Sequence, residues 1–195
     1  MSKADRTRAF ILEKTAPIFN SKGFAGTSLT DLTLATGLTK GSIYGNFANK
    51  DEVALAVFDY NLKKLLRSIN TEVAQEEGAK AKLLAYANCY EIVLSPQIMP
   101  GGCPILNTAV DADDTHPELR DKAMAAISSW KNKIIQIIDD GLSSGELLGP
   151  VDKEQFALTM IAMIEGSAMI AKLSSNNDMI TMVMKSLKQL IKDLK

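Results

Sequence analysis

The chain has 195 residues, 46% of them apolar, which suits a packed globular protein of one or two domains and excludes a disordered chain. Two cysteines are too few for a disulfide framework, and we find neither a signal peptide nor an apolar run near the roughly 18 residues of a membrane span, so a cytoplasmic location is expected. The net charge of −1 hides an asymmetry: residues 1–67 hold ten Lys and Arg against six Asp and Glu, and residues 68–195 hold twelve against seventeen. This distribution indicates a basic module attached to an acidic body, although so small an excess also arises by chance.

The first predicted helix lies in DRTRAFILEKTAPIFNSKGF, where apolar residues recur at helical intervals. Pro17 removes one backbone hydrogen bond, so we expect a bend there. Gly23 fits a left-handed stop, and Phe24 would supply its apolar contact. A second helix opens with a capping box of Ser28 and Asp31 and stops at Gly37.

A short helix follows in TKGSIYGNFANKDE, which holds two helix starts ten residues apart. Thr39 can cap the first of them, and Asn49 with Glu52 can cap the next, which opens a much longer helix. Further helices are expected at 80–95, 104–112, 117–144, 153–173 and 177–194. With no strand alternation in the chain, the predicted fold class is all-α.

A helix, a glycine turn and a short helix with little apolar surface are typical of a helix-turn-helix, whose second helix enters the DNA major groove. The start of the short helix is small or polar, and its glycine allows close approach to DNA. Exposed helix starts also favour phosphate contacts. The alternative is an ordinary helical hairpin with no ligand.

The segment TSLTDLTLATGLTKGSIYGNFANKDEVALAVF resembles the DNA-binding signature of the tetracycline-repressor (TetR) family of bacterial transcription regulators. The resemblance implies an all-α homodimer with an N-terminal helix-turn-helix and a larger helical domain that binds a small inducer. It places DNA contacts at Thr27, Ser28, Thr39, Lys40, Gly41, Ser42, Tyr44 and Lys50. The chain departs from the family pattern at Gly45-Asn46, where bulkier residues are usual, and at Thr33, where alanine is usual.

We expect a DNA-binding domain at residues 4–64, which includes the start of the linking helix, and an effector-binding and dimerisation domain at 65–195. In the latter, FALTMIAMIEGSAMIAKL is apolar nearly all round, which favours burial on one side by its own domain and on the other by a partner chain. Together with the final helix it predicts a four-helix dimer core. A deeply buried core helix is the alternative. The predicted interface residues are Gly166, Ser167, Ile180, Val183, Leu187 and Leu190.

An effector pocket is expected between the helices at 80–95, 104–112 and 117–144, although plain core packing is the alternative for every candidate residue. Cys103 has a second predicted role, because Pro104 suits the first position of a helix and makes Cys103 its N-cap. A thiolate there would face the helix dipole, and Gly101 and Gly102 would leave it open to oxidants or electrophiles. The alternative is a small residue packed in a turn. The candidate pocket residues are Tyr86, Cys89, Tyr90, Val93, Cys103, Asn107, Trp130 and Ile134.

Enzymatic and metal-dependent functions are disfavoured. His116 is the only histidine, and Thr115-His-Pro-Glu118 favours a helix-start role for it. There is no four-ligand zinc pattern, phosphate-binding glycine loop or nucleophile elbow, so we expect no enzyme activity, cofactor or metal. The sequence therefore predicts a homodimeric repressor that a small molecule or reactive species releases from palindromic double-stranded operator DNA, with no membrane partner. The alternatives are an activator of the same family and a helical assembly module without sequence-specific DNA binding.

Overall fold

The structure, a computed structural model, describes residues 2–94, 98–174, 176 and 178–195. Within these ranges every regular element is an α-helix, which confirms the predicted fold class. The later helices begin and end within two residues of their predicted ranges wherever the structure describes both ends, and the predicted end at residue 95 and start at residue 177 lie outside the described residues. In chain order the helices are α1 (Lys3–Gly26), α2 (Leu29–Thr36), α3 (Lys40–Tyr44), α4 (Lys50–Val73), α5 (Ala79–Val93), α6 (Pro104–Ala112), α7 (Pro117–Ser144), α8 (Lys153–Ser174) and α9 (Asp178–Lys192).

The chain divides into two compact units, each built from two separate stretches of sequence. The first unit is Met1–Lys64 with Met99–Met124, and the second is Leu65–Ile98 with Ala125–Lys195. The predicted boundary after residue 64 coincides with the point where α4 leaves the first unit. Residues 99–124, which the prediction gave to the second domain, instead pack with the first. The roles assigned to residues 4–64 and 65–195 remain predictions.

Side chains of α6 attach this stretch to the end of α1. The Asn107 amide donates from Nδ2 to the main-chain oxygens of Asn20, at 2.9 Å, and Gly101, at 2.7 Å. One helical turn later, Asp111 Oδ2 accepts a hydrogen bond from the main-chain N–H of Phe24 at 2.6 Å. The partners on α1 and α6 are more than 80 residues apart in sequence, so no local pattern predicts that α6 belongs to the first unit.

The residue with non-helical dihedrals inside α1 is Gly23, and the bend expected at Pro17 stays a prediction. Gly23 has φ 72° and ψ −179°, the non-helical conformation inside α1, whereas Pro17 stays within the helix. The Asp111 carboxylate occupies the space that a Cβ at Gly23 would need, so glycine is required both by conformation and by this close approach. The predicted positive φ at Gly23 is confirmed, but the predicted end of the helix there is wrong, because ψ is extended and the helix resumes at Phe24.

The next two helices begin and end as their sequences predict. Ser28 and Asp31 form the reciprocal capping box of α2, and Gly37 ends that helix with left-handed dihedrals. Thr39 caps α3 by accepting a hydrogen bond from the N–H of Ser42 at 3.2 Å. In α3, only Ile43 is fully buried, so the rest of this five-residue helix is left at the surface.

In the second unit, α5 packs against α9, and α9 packs against α8. The Tyr90 ring, fully buried, lies parallel to the Trp130 ring with centroids 4.5 Å apart. The next residue of α5, Glu91, is half-buried, and its carboxylate accepts hydrogen bonds from Thr181, at 2.7 Å, and from Lys188, at 2.6 Å. Aromatic stacking inside and a charged pair outside therefore hold α5 in place.

A charged side chain from another part of the second unit caps the start of α5. The N-cap position is Gly78, whose backbone has φ 80° and which has no side chain to accept a hydrogen bond. The Glu146 carboxylate accepts hydrogen bonds from the main-chain N–H groups of Ala79 and Lys80 instead. These two hydrogen bonds are the main reason that the pKa of Glu146 lies below its ordinary value.

α8 is more apolar than the sequence reading allowed. By length and composition it could span a membrane, with an 18-residue window of mean hydropathy 1.5, and 39% of that window is buried in the protein. This corrects the expectation of no such run. A single helix of this kind is weak grounds for a membrane location, because core and interface helices of globular proteins share these properties.

Candidate functional site

The outer side of α3 carries the residues that the sequence predicts to read DNA. Thr39, Lys40 and Gly41 are exposed, whereas Ser42 and Tyr44 are half-buried. Among the described residues, a Cβ at Gly41 would meet only Thr39 Oγ1, at 4.0 Å. Packing within the protein therefore does not require glycine at this position, which leaves room for an external partner at the helix surface.

Positive charge lies at the start of this helix. Lys40 is on the solvent side, with its Nζ 6.0 Å from the centroid of the Tyr44 ring. This distance is at the outer limit of a cation–π contact, so the contact is weak. An exposed cation beside small polar side chains is suited to DNA contacts.

The two residues predicted to contact phosphate before α2 have different environments. Thr27 is 1% exposed, and its Oγ1 donates a hydrogen bond to the main-chain oxygen of Gly23 at 2.6 Å. A phosphate contact through the Thr27 side chain is therefore incompatible with this structure, because the hydroxyl is buried and already bonded within the protein. Ser28 is exposed and caps α2, so the first N–H groups of that helix lie at the surface beside it.

Lys50 was predicted to hold a phosphate, but its ammonium binds the protein itself. Nζ donates to the main-chain oxygens of Phe24, at 2.9 Å, and Thr27, at 3.0 Å, and lies 4.1 Å from the Phe24 ring centroid. Lysine has three donors, so these bonds leave one. The first role of Lys50 is thus to satisfy carbonyl groups at the end of α1, and the phosphate contact remains a prediction.

Arg8 is a structural contributor that the sequence reading missed. Its guanidinium donates to the main-chain oxygen of Asn46 at 2.5 Å and to Glu52 Oε1 at 2.7 Å, and it lies 4.0 Å from the centroid of the Phe47 ring. The other oxygen of Glu52 accepts a hydrogen bond from the N–H of Ala48 at 2.6 Å. Arg8 therefore fixes the turn between α3 and α4. The sequence did contain a sign of this role, because Arg8 lies three residues before buried Ile11 and therefore on the inner face of α1.

Electrostatics keep the carboxylates of this region ionised. The hydrogen bond from Lys22, at 2.6 Å, and then those from Ser28 hold the pKa of Asp31 far below its usual range. The N–H of Ala48, and then Arg8, likewise lower the pKa of Glu52. The first turns of α2 and α4 thus carry negative charge, which stabilises helix N-termini.

His116 has the helix-start role that the sequence predicts, although with different atoms. Its Nδ1 accepts a hydrogen bond from the N–H of Leu119 at 3.3 Å, so the imidazole and not Thr115 caps α7. Its Nε2 lies 3.2 Å from a carboxylate oxygen of Asp51 without forming a hydrogen bond within the described residues, and its ring meets that of Phe24 edge-on with centroids 4.6 Å apart. The histidine therefore caps α7 and lies beside the first turn of α4.

Both cysteines are buried, so for Cys103 the structure favours the alternative of a small residue packed in a turn over an accessible thiol. Cys103 occupies the predicted N-cap position of α6 but is 2% exposed and makes no capping hydrogen bond. The adjacent glycines therefore do not open it to solvent. Burial, and to a smaller extent the charge of Glu72, raises the pKa of the Cys89 thiol.

A groove of about 710 Å³ lies in the second unit between the last part of α4 and α5. We call it the α4–α5 groove. Two of the predicted pocket residues, Cys89 and Val93, line it. Its lining residues are Arg67, Ser68, Thr71, Glu72, Glu76, Ala85, Asn88, Cys89, Ile92, Val93 and Ile98.

The other predicted pocket residues are not brought together. Cys103 and Asn107 belong to the first unit, whereas Tyr86, Tyr90, Trp130 and Ile134 are buried in the second. Burial raises the pKa of Tyr86 to about 12. Within the described residues, the indole N–H of Trp130 is buried without a hydrogen-bond partner.

The predicted interface residues are also divided by the structure. Ser167, Ile180 and Leu187 are buried within their own unit, Gly166 and Val183 are half-buried, and Leu190 is 44% exposed. Neighbouring residues form the surface instead, because α8 and α9 pack on each other and α9 also packs on α5. We call the set of exposed apolar residues on α8 and α9 the apolar face. Its members are Leu158, Met169, Ile170, Leu173, Met182 and Leu190.

Comparisons with known proteins agree with this geometry. The model of the family "Bacterial regulatory proteins, tetR family" matches residues 11–57, and that of "Tetracyclin repressor-like, C-terminal domain" matches residues 79–187. A solved TetR-family transcriptional regulator from Cytophaga hutchinsonii is 47% identical, with a TM-score of 0.94 over 100% of this chain and 98% of that chain. The HTH-type transcriptional regulator TtgR of Pseudomonas putida is 29% identical over 84% of this chain and 79% of the relative.

A more distant structure shares the fold and contains DNA. It is a cysteine mutant of the TetR-family regulator CifR, solved in complex with 26-bp double-strand operator DNA. It is 18% identical to this chain, with a TM-score of 0.84 over 93% of this chain and 94% of that one, so the likeness shows the fold alone. The matched family models and the 47% identical structure lead to one conclusion. The chain belongs to the TetR family of bacterial transcriptional regulators.

Proposed function

We propose that the protein is a homodimeric repressor that binds a palindromic operator and leaves it when a small-molecule effector binds. The observation that carries this proposal is the exposed start of α3. Its polar residues face the solvent, while fully buried Ile43 anchors the helix to the rest of the first unit. A DNA-binding helix needs this division, since it must be held firmly yet offer its own side chains to base edges.

Base reading and phosphate binding fall to different residues in this proposal. Thr39, Lys40 and Gly41 are exposed at the first turn of α3 and would reach base edges. Ser42 and Tyr44 are half-buried and would contact the sugar-phosphate backbone, together with the N–H groups that start α2 beside Ser28. Lys50 would use its remaining donor on a phosphate.

Dimerisation is proposed through the apolar face. On α8, exposed Met169 and Ile170 lie four and three residues before exposed Leu173, and exposed Leu158 lies about three helical turns before Met169. A second copy of the chain would cover this stripe and produce the two-fold symmetry that a palindromic operator requires. The same contact accounts for the apolar character of α8 without a membrane, and a cytoplasmic location follows.

Effector binding is proposed in the second unit and is transmitted through α4. This helix begins at Lys50 in the first unit, where its ammonium bonds to the end of α1, and Glu72 near its other end lines the α4–α5 groove. A ligand that shifts α4 would change the spacing of the two recognition helices of the dimer. Successive major grooves on one face of DNA are about 34–36 Å apart, so a small change in spacing lowers affinity.

Selection of bound sequences from a random duplex library, with the full-length protein, tests the proposal. Enrichment of a palindrome whose half-sites lie about one helical turn apart supports it. Binding that depends on salt but not on sequence favours a helical assembly module with incidental DNA affinity. A reporter gene placed behind the selected sequence then separates repression from activation.

A further inference from the structure

The walls of the α4–α5 groove have different chemistry. One wall, from the last part of α4 and the residues after it, is polar and carries Thr71, Glu72 and Glu76. The other wall, from α5, is mainly apolar, with Ala85 and Ile92 beside one polar residue, Asn88. At about 710 Å³, the groove is within the range of about 300–1,000 Å³ that small-molecule sites occupy.

The acidic residues of the polar wall are not used by the fold. Across the described part of the chain, the side chains of Glu72 and Glu76 accept no hydrogen bond and form no ion pair. Elsewhere in the second unit, carboxylates such as Glu91 and Glu146 bond to specific donors. Glu72 and Glu76 are therefore available to a ligand.

The negative charge of the polar wall affects a titratable group on the opposite helix, α5. The negative charge of Glu72 adds to burial in raising the pKa of the Cys89 thiol on α5. The thiol is consequently neutral at physiological pH and acts as a small apolar contact, with no charge that competes for a cation. Arg67 is the one cationic side chain among the described lining residues, so the two carboxylates leave a net charge of −1.

From this combination we infer that the α4–α5 groove binds a lipophilic organic monocation and that such a cation is the effector. The inference rests on the proposed function and adds the chemical class of the ligand. The apolar body of the cation lies on Ile92, Val93 and Ile98, and its charge faces Glu72 and Glu76. An organic cation is weakly hydrated compared with a small metal ion, so it loses little on leaving water, and the carboxylates supply the attraction.

Tetraphenylphosphonium and tetraphenylborate test the charge requirement, because they share size and shape but have opposite charge. Isothermal titration of the full-length protein in sodium buffer, without DNA, is expected to show saturable binding of the cation, one per chain, and much weaker binding of the anion. Glu72→Gln and Glu76→Gln are each expected to lower the affinity for the cation about threefold to fivefold, because both carboxylates are exposed and exposed ion pairs are weak.

Matched variants separate the groove from general electrostatics. Glu77 is exposed like Glu72 and Glu76 but lies outside the lining, so Glu77→Gln makes the same charge change and is expected to leave the affinity within about 1.5-fold of wild type. Ile92→Asn alters the apolar wall at a side chain that is 61% exposed, so the fold is retained and cation binding falls. Circular dichroism melts confirm that each variant is folded.

Equal binding of the two ions, no saturable binding of the cation, or equal effects of Glu77→Gln and Glu72→Gln would overturn the inference. Release of DNA is measured separately, by anisotropy of the selected palindrome with and without tetraphenylphosphonium. If no palindrome is selected, the proposed function fails whatever the titration shows. If a palindrome is bound but the cation neither binds nor releases it, the groove inference alone fails.

Discussion

The start of α3 and the apolar face of α8 and α9 both leave a helix surface uncovered, but their chemistry and their support differ. The α3 helix is five residues long, exposes small polar groups and is anchored by buried Ile43, and Arg8 donates a hydrogen bond to Asn46 in the turn that follows it. The apolar face extends over two long helices that are already packed together. A short helix is not stable by itself and depends on contacts with other segments. A packed helix pair is already stable, so a partner needs only to bury its exposed apolar surface.

This difference predicts how each region fails. A polar surface held by a few directional bonds is damaged when one supporting residue is removed, even far from DNA. An apolar surface depends on exclusion of water, so it is damaged when charge is placed on it. Of the four predictions below, the first three test this contrast and the fourth tests a directional cap elsewhere in the second unit, from the largest expected effect to the smallest.

Charge on the apolar face is expected to have the largest effect. Ile170→Glu would bury an unpaired carboxylate at the proposed dimer contact, at a cost of several kcal/mol per interface. Sedimentation velocity should show a folded monomer, and operator affinity should fall at least about 100-fold. Leu187 is a poor choice for this test, because it is buried in its own unit and its replacement would unfold the protein.

Leu148→Glu is the matched control for this experiment. Leu148 is the most exposed of the large apolar residues in the described part of the chain and lies outside the apolar face. The variant should remain dimeric and should bind operator as the wild type does. A dimer that persists at micromolar concentration in Ile170→Glu would show that the contact lies elsewhere.

Loss of the Arg8 support is expected to come next. Arg8→Met removes the bonds to Asn46 and Glu52, and the partial exposure of the pair limits the loss in free energy of unfolding to about 1–2 kcal/mol. Operator affinity should fall about tenfold or more, because the turn after α3 is no longer fixed. Urea denaturation and DNA anisotropy measure the two effects.

Arg6→Met supplies the comparison, since Arg6 is exposed and carries the same charge. It should change neither unfolding nor sequence preference. If the two arginine variants lose operator affinity equally, Arg8 acts through its charge towards DNA and not through the turn.

Substitutions of Lys50 and Lys40 should separate an effect on protein stability from an effect on base recognition. Lys50→Met breaks two hydrogen bonds to main-chain oxygens at the end of α1, with an expected loss of about 1–3 kcal/mol in the free energy of unfolding. Lys40→Met, at an exposed residue, should leave unfolding within about 0.5 kcal/mol and alter the preferred bases. Thermal melts and repeated sequence selection give the two readings. Unchanged stability in Lys50→Met would contradict the role assigned to this ammonium.

The smallest expected effect is the pH dependence of the stability that the Glu146 cap of α5 contributes. Its pKa is lower in the folded protein than in the unfolded chain, where it is near 4.5, so its stabilisation is complete above that pH and is lost as pH falls through the folded value. Glu146→Gln should destabilise the protein by about 1 kcal/mol or less at neutral pH. The gap between variant and wild type in urea midpoint should narrow as the pH falls below the unfolded value of 4.5. A gap independent of pH would show that charge does not matter at this cap.

Local sequence determined the helices and their ends. Periodicity located the helices, and residues such as Ser28, Gly37 and Thr39 fixed where α2 and α3 begin and end, because a cap depends on neighbours within four residues. The exposed side of α3 followed from the same local pattern. The resemblance in residues 23–58 gave the family, which the comparisons confirm.

Tertiary structure decided which of these residues remain available to a partner. Thr27 is buried, Lys50 is bonded to the end of α1, and Leu187 is turned inward, although each was predicted at a contact surface. The bend at Gly23 depends on Asp111, from a helix more than 80 residues away. A sequence pattern gives the chemistry and the periodicity of a side chain, but hydrogen bonds and packing between distant segments determine whether it is exposed, and those are fixed only once the chain has folded.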